Sequence, residues 1–207
     1  MNRLILLLVA MAISICGFSQ VHFLTERPTM KQVRELENSL NSIFVGIETT
    51  RVSENFFPGA VSDRDYYLAE FKRTNDTFFP ELFVEYYFNE NCPDSTLFSV
   101  RHNWDIMNYI ENVFDDGHHF KTELQRQDDY LQKYNEIKSQ VISLLGNPDK
   151  IVEDKNADGH FYRVEWEQEN LYALLTLSFS TKLRTLELQR GNAYVGAFNI
   201  RFQVNYK

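Results

Sequence analysis

Two stretches near the C-terminus alternate residue by residue between apolar and polar side chains, and this pattern constrains the fold more than any other. Leu171, Ala173, Leu175, Leu177 and Phe179 alternate with Tyr172, Thr176 and Ser178. Phe198, Ile200, Phe202, Val204 and Tyr206 alternate with Asn199, Arg201, Gln203 and Asn205. Successive side chains of a strand point to opposite faces, so each stretch predicts a strand with one buried and one wet face. Antiparallel sheets allow that arrangement. Residues 161–167 and 183–188 predict two more strands, which gives a C-terminal antiparallel sheet of about four strands.

Upstream of this sheet the spacing turns helical. Tyr130, Leu131, Tyr134, Ile137, Val141, Leu144 and Leu145 form the stripe of a long amphipathic helix, with Gly146 at its C-cap and Pro148 beyond it. Thr29 and Gln32 make a capping box for a first helix, whose apolar positions run Met30, Val33, Leu36, Leu40 and Ile43 towards a stop at Gly46. Ser62 and Asp65 predict the start of a second, shorter helix burying Tyr67, Leu68 and Phe71. Leu82, Val84, Tyr86 and Phe88 share one face of a strand. Phe98, Val100, His102 and Trp104 share a face of its return, so residues 82–104 read as a β-hairpin. Asn103 is a candidate cap for a helix reaching Phe114.

Helices first and strands last predict an α+β fold: N-terminal helices and a β-hairpin, one long amphipathic helix, then the four-stranded sheet. The order of helix, Gly-x-Pro and antiparallel strands resembles small periplasmic binding and inhibitor modules in architecture alone. Phe83-Val84-Glu85-Tyr86 and Arg163-Val164-Glu165-Trp166 echo each other, which raises a weak duplication of 29–104 in 118–207.

The N-terminus predicts export. Arg3 is followed by ten uninterrupted apolar residues, Leu4 to Ile13. That is too short for a membrane span of roughly 20. Gly17 and Ser19 then place small residues before a cut at Gln20. The Phe-Ser-Gln ending resembles exported proteins of the Bacteroidota, in which glutamine often becomes the mature N-terminus. Residues 1–19 therefore read as a secretory signal peptide, 20–28 as a tether and 29–207 as one domain in the periplasm or secreted. A lipoprotein acylated at Cys16 is disfavoured by the bulky Ile15 before it, and a retained anchor is the other alternative.

Cleavage before Gln20 leaves Cys92 as the only cysteine, so stability rests on the core rather than on a disulfide. Hydrophobic residues make up 43% of the chain, enough to build one. The formal net charge of −8 argues against nucleic acid, whose binding depends on Lys and Arg neutralising phosphates. Lys182, Arg184, Arg190, Arg201 and Lys207 nonetheless make the C-terminal end locally basic, a candidate patch for an acidic partner.

Two clusters carry candidate metal chemistry. Asp154, Asn156, Asp158, Gly159 and Glu165 match the calcium-loop spacing D-x-[DN]-x-[DN]-G-x5-E. Oxygens at the first, third and fifth positions with a carboxylate at the twelfth can surround a hard cation. The competing expectation is a plain hairpin turn at Ala157-Asp158-Gly159. His102, Asp105, His118 and His119 offer imidazole and carboxylate ligands for a hydrolytic metal, although no H-E-x-x-H is present. Asp94-Ser95-Thr96 resembles the O-glycan acceptor of exported Bacteroidota proteins.

Other signatures fail. No serine stands between glycines in a nucleophile elbow, and Ala197-Phe198 replaces the Lys and Ser/Thr that a phosphate loop would need after Gly191 and Gly196. Aromatic neighbours such as Tyr86-Tyr87 and Phe161-Tyr162 lie on opposite strand faces, so one of each is available to stack on a sugar or fill a partner's pocket. The expectation is an exported, non-enzymatic binding protein for a protein or carbohydrate partner. No cofactor is expected unless calcium binds. The alternatives are the metal-dependent hydrolase and a domain stabilised by calcium.

Overall fold

The computed structural model describes residues 21–53, 57, 64–109, 118–188 and 191–207. Helix α1 (Met30–Ser39) leads into β1 (Ile43–Arg51), β2 (Asp65–Arg73), β3 (Leu82–Phe88) and β4 (Leu97–Asp105). A 3-10 turn (Ile106–Tyr109) precedes α2 (His118–Glu123) and α3 (Gln127–Leu145). The second half continues through β5 (Lys150–Lys155), β6 (Gly159–Glu167), β7 (Leu171–Ser180), β8 (Arg184–Leu188), β9 (Gly191–Val195) and β10 (Phe198–Tyr206).

Eight of these strands form one antiparallel sheet in the order β1-β2-β3-β4-β10-β7-β6-β5. Each half of the chain thus supplies four strands of this sheet, the first half after one helix and the second after two, and the last strands of the halves, β4 and β10, pair at the centre. The echoing tetrapeptides fall on strands of different rank, β3 in the first half and β6 in the second. The remaining strands, β8 and β9, pair only with each other.

This mostly-sheet architecture overturns the expected helix-led α+β fold with a four-stranded sheet. The first helix does have its capping box: Gln32 N donates to Thr29 Oγ1 at 3.3 Å, and Thr29 N donates to Gln32 Oε1 at 2.8 Å. It stops at Ser39, however, because Asn41 takes a left-handed φ of 54° and turns the chain. Ile43, Val45, Ile47, Thr49 and Thr50 are β-branched, and the sheet captures them as β1.

The second predicted helix is strand β2, paired on both sides by β1 and β3. Its predicted cap, Ser62, lies outside the described residues. Short apolar runs fit either period, and here strand pairing decided between them. Asn103 likewise caps no helix: it lies within β4, and Asp105 accepts the hydrogen bond from Met107 N at 3.0 Å that opens the following turn. Residues 183–188 contain β8, which joins a separate hairpin rather than the main sheet.

The β3–β4 hairpin, the long helix and the strands β6, β7 and β10 stand where the sequence predicted them, except that a register shift at Phe88 pairs it with Leu97 and puts Phe98 in a smaller core, apart from Val100 and Trp104. Gly146 ends α3 with φ 86°, a conformation that glycine adopts without a Cβ clash. Leu144, counted in the α3 stripe, is 56% exposed.

One continuous core lies between the helices and one sheet face. Met30 and Val33 of α1, Phe120 of α2, and Tyr130, Tyr134, Ile137 and Val141 of α3 pack there with Val84, Val100, Trp104, Val164, Trp166, Leu175, Ile200, Phe202 and Val204. Burying each large apolar side chain contributes about 1.5–3 kcal/mol. The polar ends of the tryptophans are satisfied: Trp104 Nε1 donates to Asp76 at 2.6 Å and Trp166 Nε1 to Gly146 O at 3.0 Å.

Residues 21–28, read from the sequence as a tether, lie across this core as a strap. Val21 N donates to Gln140 of α3 at 3.1 Å. His22 O faces His102 Nε2 at 3.2 Å and accepts from Arg73 at 3.3 Å. Leu24 O accepts from the Tyr206 hydroxyl at 2.6 Å, while the Phe23 ring sits 5.2 Å from Phe202.

Candidate functional site

Among the described residues no helix covers the opposite face of the sheet. The strand register lays its side chains out in rows. One row runs Glu70, Glu85, Arg101, Gln203, Leu174, Glu165 and Lys150 from β2 to β5. Beside it run Lys72, Phe83, Asn103, Arg201, Thr176, Arg163 and Val152. On the other side run Leu68, Tyr87, Ser99, Asn205, Tyr172 and Glu167.

Away from the aromatic end of the face, these rows are tied together by polar contacts. Arg101 pairs with Glu85 and donates to the Tyr87 hydroxyl, and its guanidinium lies 5.2 Å from the Phe57 ring centre. Arg201 donates to Asn103 at 3.1 Å and to Asp105 at 2.7 Å. Asn205 Oδ1 accepts from Ser99 at 2.7 Å and from Gln203 at 2.9 Å. Tyr172 donates to Glu165 at 2.8 Å, and Arg163 pairs with the same carboxylate at 2.9 Å.

The acids and amides form a buried floor, Glu85, Asn103, Asp105, Gln203 and Asn205, above which the side chains of Arg201 and Arg163 are 42% and 39% exposed. Fixed arginines of this kind retain unused donors in a planar fork. Aromatics close one end of the face. Val52, Phe57, Tyr66, Tyr87 and Phe98 form a second, smaller core, with Phe57 delivered by the β1–β2 connection. Next to it lies a recess of about 490 Å³ lined by Gly46, Glu48, Glu70, Glu85, Tyr87 and Arg101.

Electrostatics differ along the face. Burial, and then the neighbouring Glu85 and Glu48 carboxylates, push the Glu70 carboxyl up. Burial alone would raise Glu165 too, but the Tyr172 hydrogen bond and the Arg163 charge hold it below the usual carboxylate range. Burial, and then Glu85, push the Tyr87 phenol well above its ordinary range, so it stays a neutral donor.

The candidate calcium residues are divided between a turn and a strand. Asn156 Oδ1 accepts from Asp158 N at 2.9 Å and from Gly159 N at 3.1 Å, closing the β5–β6 hairpin. Asp158 pairs with Lys182. Asp154 faces Phe161 in the register, whereas Glu165 faces Lys150. Phe161 and Glu165 are four steps apart along β6, about 13 Å at the rise of a strand, so the structure does not bring Glu165 to the turn.

The hydrolase candidates are divided as well. His102 points into the core beside Phe202, while Asp105 lies on the open face against Arg201. Opposite faces of one strand cannot ligate one ion. His118 and His119 begin α2, and their side chains, like Asp115–Gly117, fall outside the described residues. Among the described residues no group of three or more His, Cys, Asp or Glu side chains is placed to share a metal ion. Ser95 is buried, and its hydroxyl accepts from Glu90 N at 3.0 Å. Cys92 is half-buried and unbridged.

The locally basic C-terminal end is dispersed by pairing: Lys182 with Asp158, Arg201 with Asp105 and Lys207 with Glu167. Sequence reasoning singled out Tyr86-Tyr87 and Phe161-Tyr162, and each pair does divide between faces. Tyr86 and Tyr162 enter the main core, Tyr87 the smaller one, and Phe161 is 36% exposed. It missed the polar rows. Their signal was the polar half of the alternation, Asn199, Arg201, Gln203 and Asn205, which reads as ordinary solvated surface until β4 sets Arg101 and Asn103 beside it.

No protein-family model, curated protein or solved structure matches this chain. Among the described residues, no helix is long and apolar enough to cross a membrane.

Proposed function

We propose that this chain is an exported, non-enzymatic binding protein that takes its partner on the open face of the sheet. The observation supporting this most directly is the central β4–β10 pair. Its outward side chains are polar, hydrogen-bonded to one another and held at fixed positions, with Arg201 and Arg163 projecting above them. Preorganised donors lose little freedom on binding. Arginine, amide, threonine and tyrosine groups suit the carbonyls and carboxylates of a protein partner, and Phe161 adds an apolar contact.

The export part of the reading rests on the N-terminal pattern. The test is capture from the native envelope on the immobilised protein, repeated with Arg201→Ala and with Gln132→Ala on the helix side. Loss of capture with the first alone supports the open face. Loss with the second alone sinks it.

A further inference from the structure

The two edges of the sheet are built differently. On β5, Lys150, Glu153, Asp154 and Lys155 leave four of six residues charged, a usual protection of a free edge against strand addition. Of the nine residues of β1 only Glu48 and Arg51 are charged. It begins with Ile43, Phe44 and Val45, which are 54%, 51% and 51% exposed. Exposed apolar side chains beside a row of unpaired backbone groups form a surface that an extended strand completes.

The bulge between Phe44 and Gly46 restricts which strand fits. Phe44 and Ile47 face Phe71 and Ala69 on the helix-covered side, while Gly46 and Glu48 face Glu70 and Leu68 on the open side. We infer that the complementary strand is β1 of a second copy, paired antiparallel about a two-fold axis through Ile47. With both bulges in place, this register sets Phe44 against Thr49, Ile43 against Thr50, and Glu48 against Val45 and Gly46.

Aromatic and aliphatic side chains thus meet β-branched ones, a favourable cross-strand combination. A Cβ built at Gly46 meets nothing within 4 Å, so the Glu48 side chain has room there. No like charges face each other, and Arg51 is already engaged by Asp65 of its own copy at 2.9 Å. The contact is isologous and closes on itself. It joins two eight-stranded sheets edge to edge, with both open faces on the same side.

Sedimentation of the purified protein, with reductant present so that Cys92 cannot bridge copies, tests the inference. A dimer is expected at about 50 μM. Val45→Asp brings a like charge to Glu48 twice by symmetry and should weaken the dimer at least about tenfold. Val45→Lys offers the opposite charge and should retain it. Thermal midpoints of both variants report that the fold is intact. Independently, amide exchange in residues 43–51 of the unmodified protein should slow as concentration rises. A monomer throughout, a dimer indifferent to Val45→Asp, or exchange of β1 that ignores concentration would each overturn the inference.

Discussion

Glu37 of α1 and Arg73 of β2 meet as a two-pronged ion pair with side chains 0% and 1% exposed, Nη2 to Oε1 at 2.5 Å and Nε to Oε2 at 3.2 Å. Tyr86 and Ser42 hydroxyls donate to the same carboxylate, the latter at 2.5 Å. Removing one partner strands the other charge in the core. Either Glu37→Leu or Arg73→Met should therefore cost about 3–5 kcal/mol. The double variant should be more stable than either single one, because no unpaired charge remains. Urea unfolding of the three proteins decides this, and additive losses would contradict it.

Acid should loosen the same region. Burial, and then the Arg73 charge, hold His102 well below its ordinary value of 6.5. Burial and Arg73 lower His22 in the strap as well. The charged groups facing them are Arg73 of β2 and Glu37 of α1. A histidine with a depressed folded value binds its proton more readily unfolded, so stability is full above pH 6.5 and declines as pH falls below it.

Each such proton contributes a slope of about 1.4 kcal/mol per pH unit. Glu37, lowered on balance by Arg73 despite its burial, adds a further loss below its unfolded value of 4.5. Urea midpoints measured from pH 7.5 to 5 should fall, and His102→Gln should flatten the curve. A flat curve in the parent protein would remove both histidines from the account.

At the β5–β6 turn, Asn156 does the work of a turn residue. Asn156→Ala removes two hydrogen bonds to backbone N–H groups and should lower stability by about 1 kcal/mol. Melting with calcium and with chelator should give the same midpoint in the parent protein, since Glu165 is committed to Lys150, Arg163 and Tyr172. A calcium-dependent rise of several degrees would return the loop to metal binding.

On the open face, stability and binding should separate. The Arg201 side chain is 42% exposed, so its pairing with Asp105 is screened by solvent and Arg201→Ala should change stability by about 1 kcal/mol or less. Partner capture should nevertheless drop sharply. Thermal melting beside a binding measurement checks the separation; a variant that melts early and binds poorly would mean only that the sheet was damaged.

Particular residues show where sequence was enough. The alternation 171–179 states both the strand and its buried face, because there the burial period equals the side-chain period, whereas 198–206 states the strand and its apolar face but not that Gln203 and Asn205 of its polar half are buried as well. Thr29 with Gln32, and Gly146 after Leu145, mark helix ends by chemistry confined to a few neighbouring residues. By contrast, 43–51 and 65–73 hold short apolar runs compatible with a helix or a strand, and the β1–β2–β3 register made them strands.

The chain's own order of residues thus determined its local signals: caps, turns, the long helix, and which side of each clear strand avoids water. Which strands became neighbours was decided only by the tertiary structure, since pairing β4 with β10 joins residues about a hundred positions apart. No local pattern encodes that contact. The sheet chose it by burying Trp104 and Phe202 on one side, and in doing so it set Arg101, Asn103, Arg201 and Gln203 together on the other.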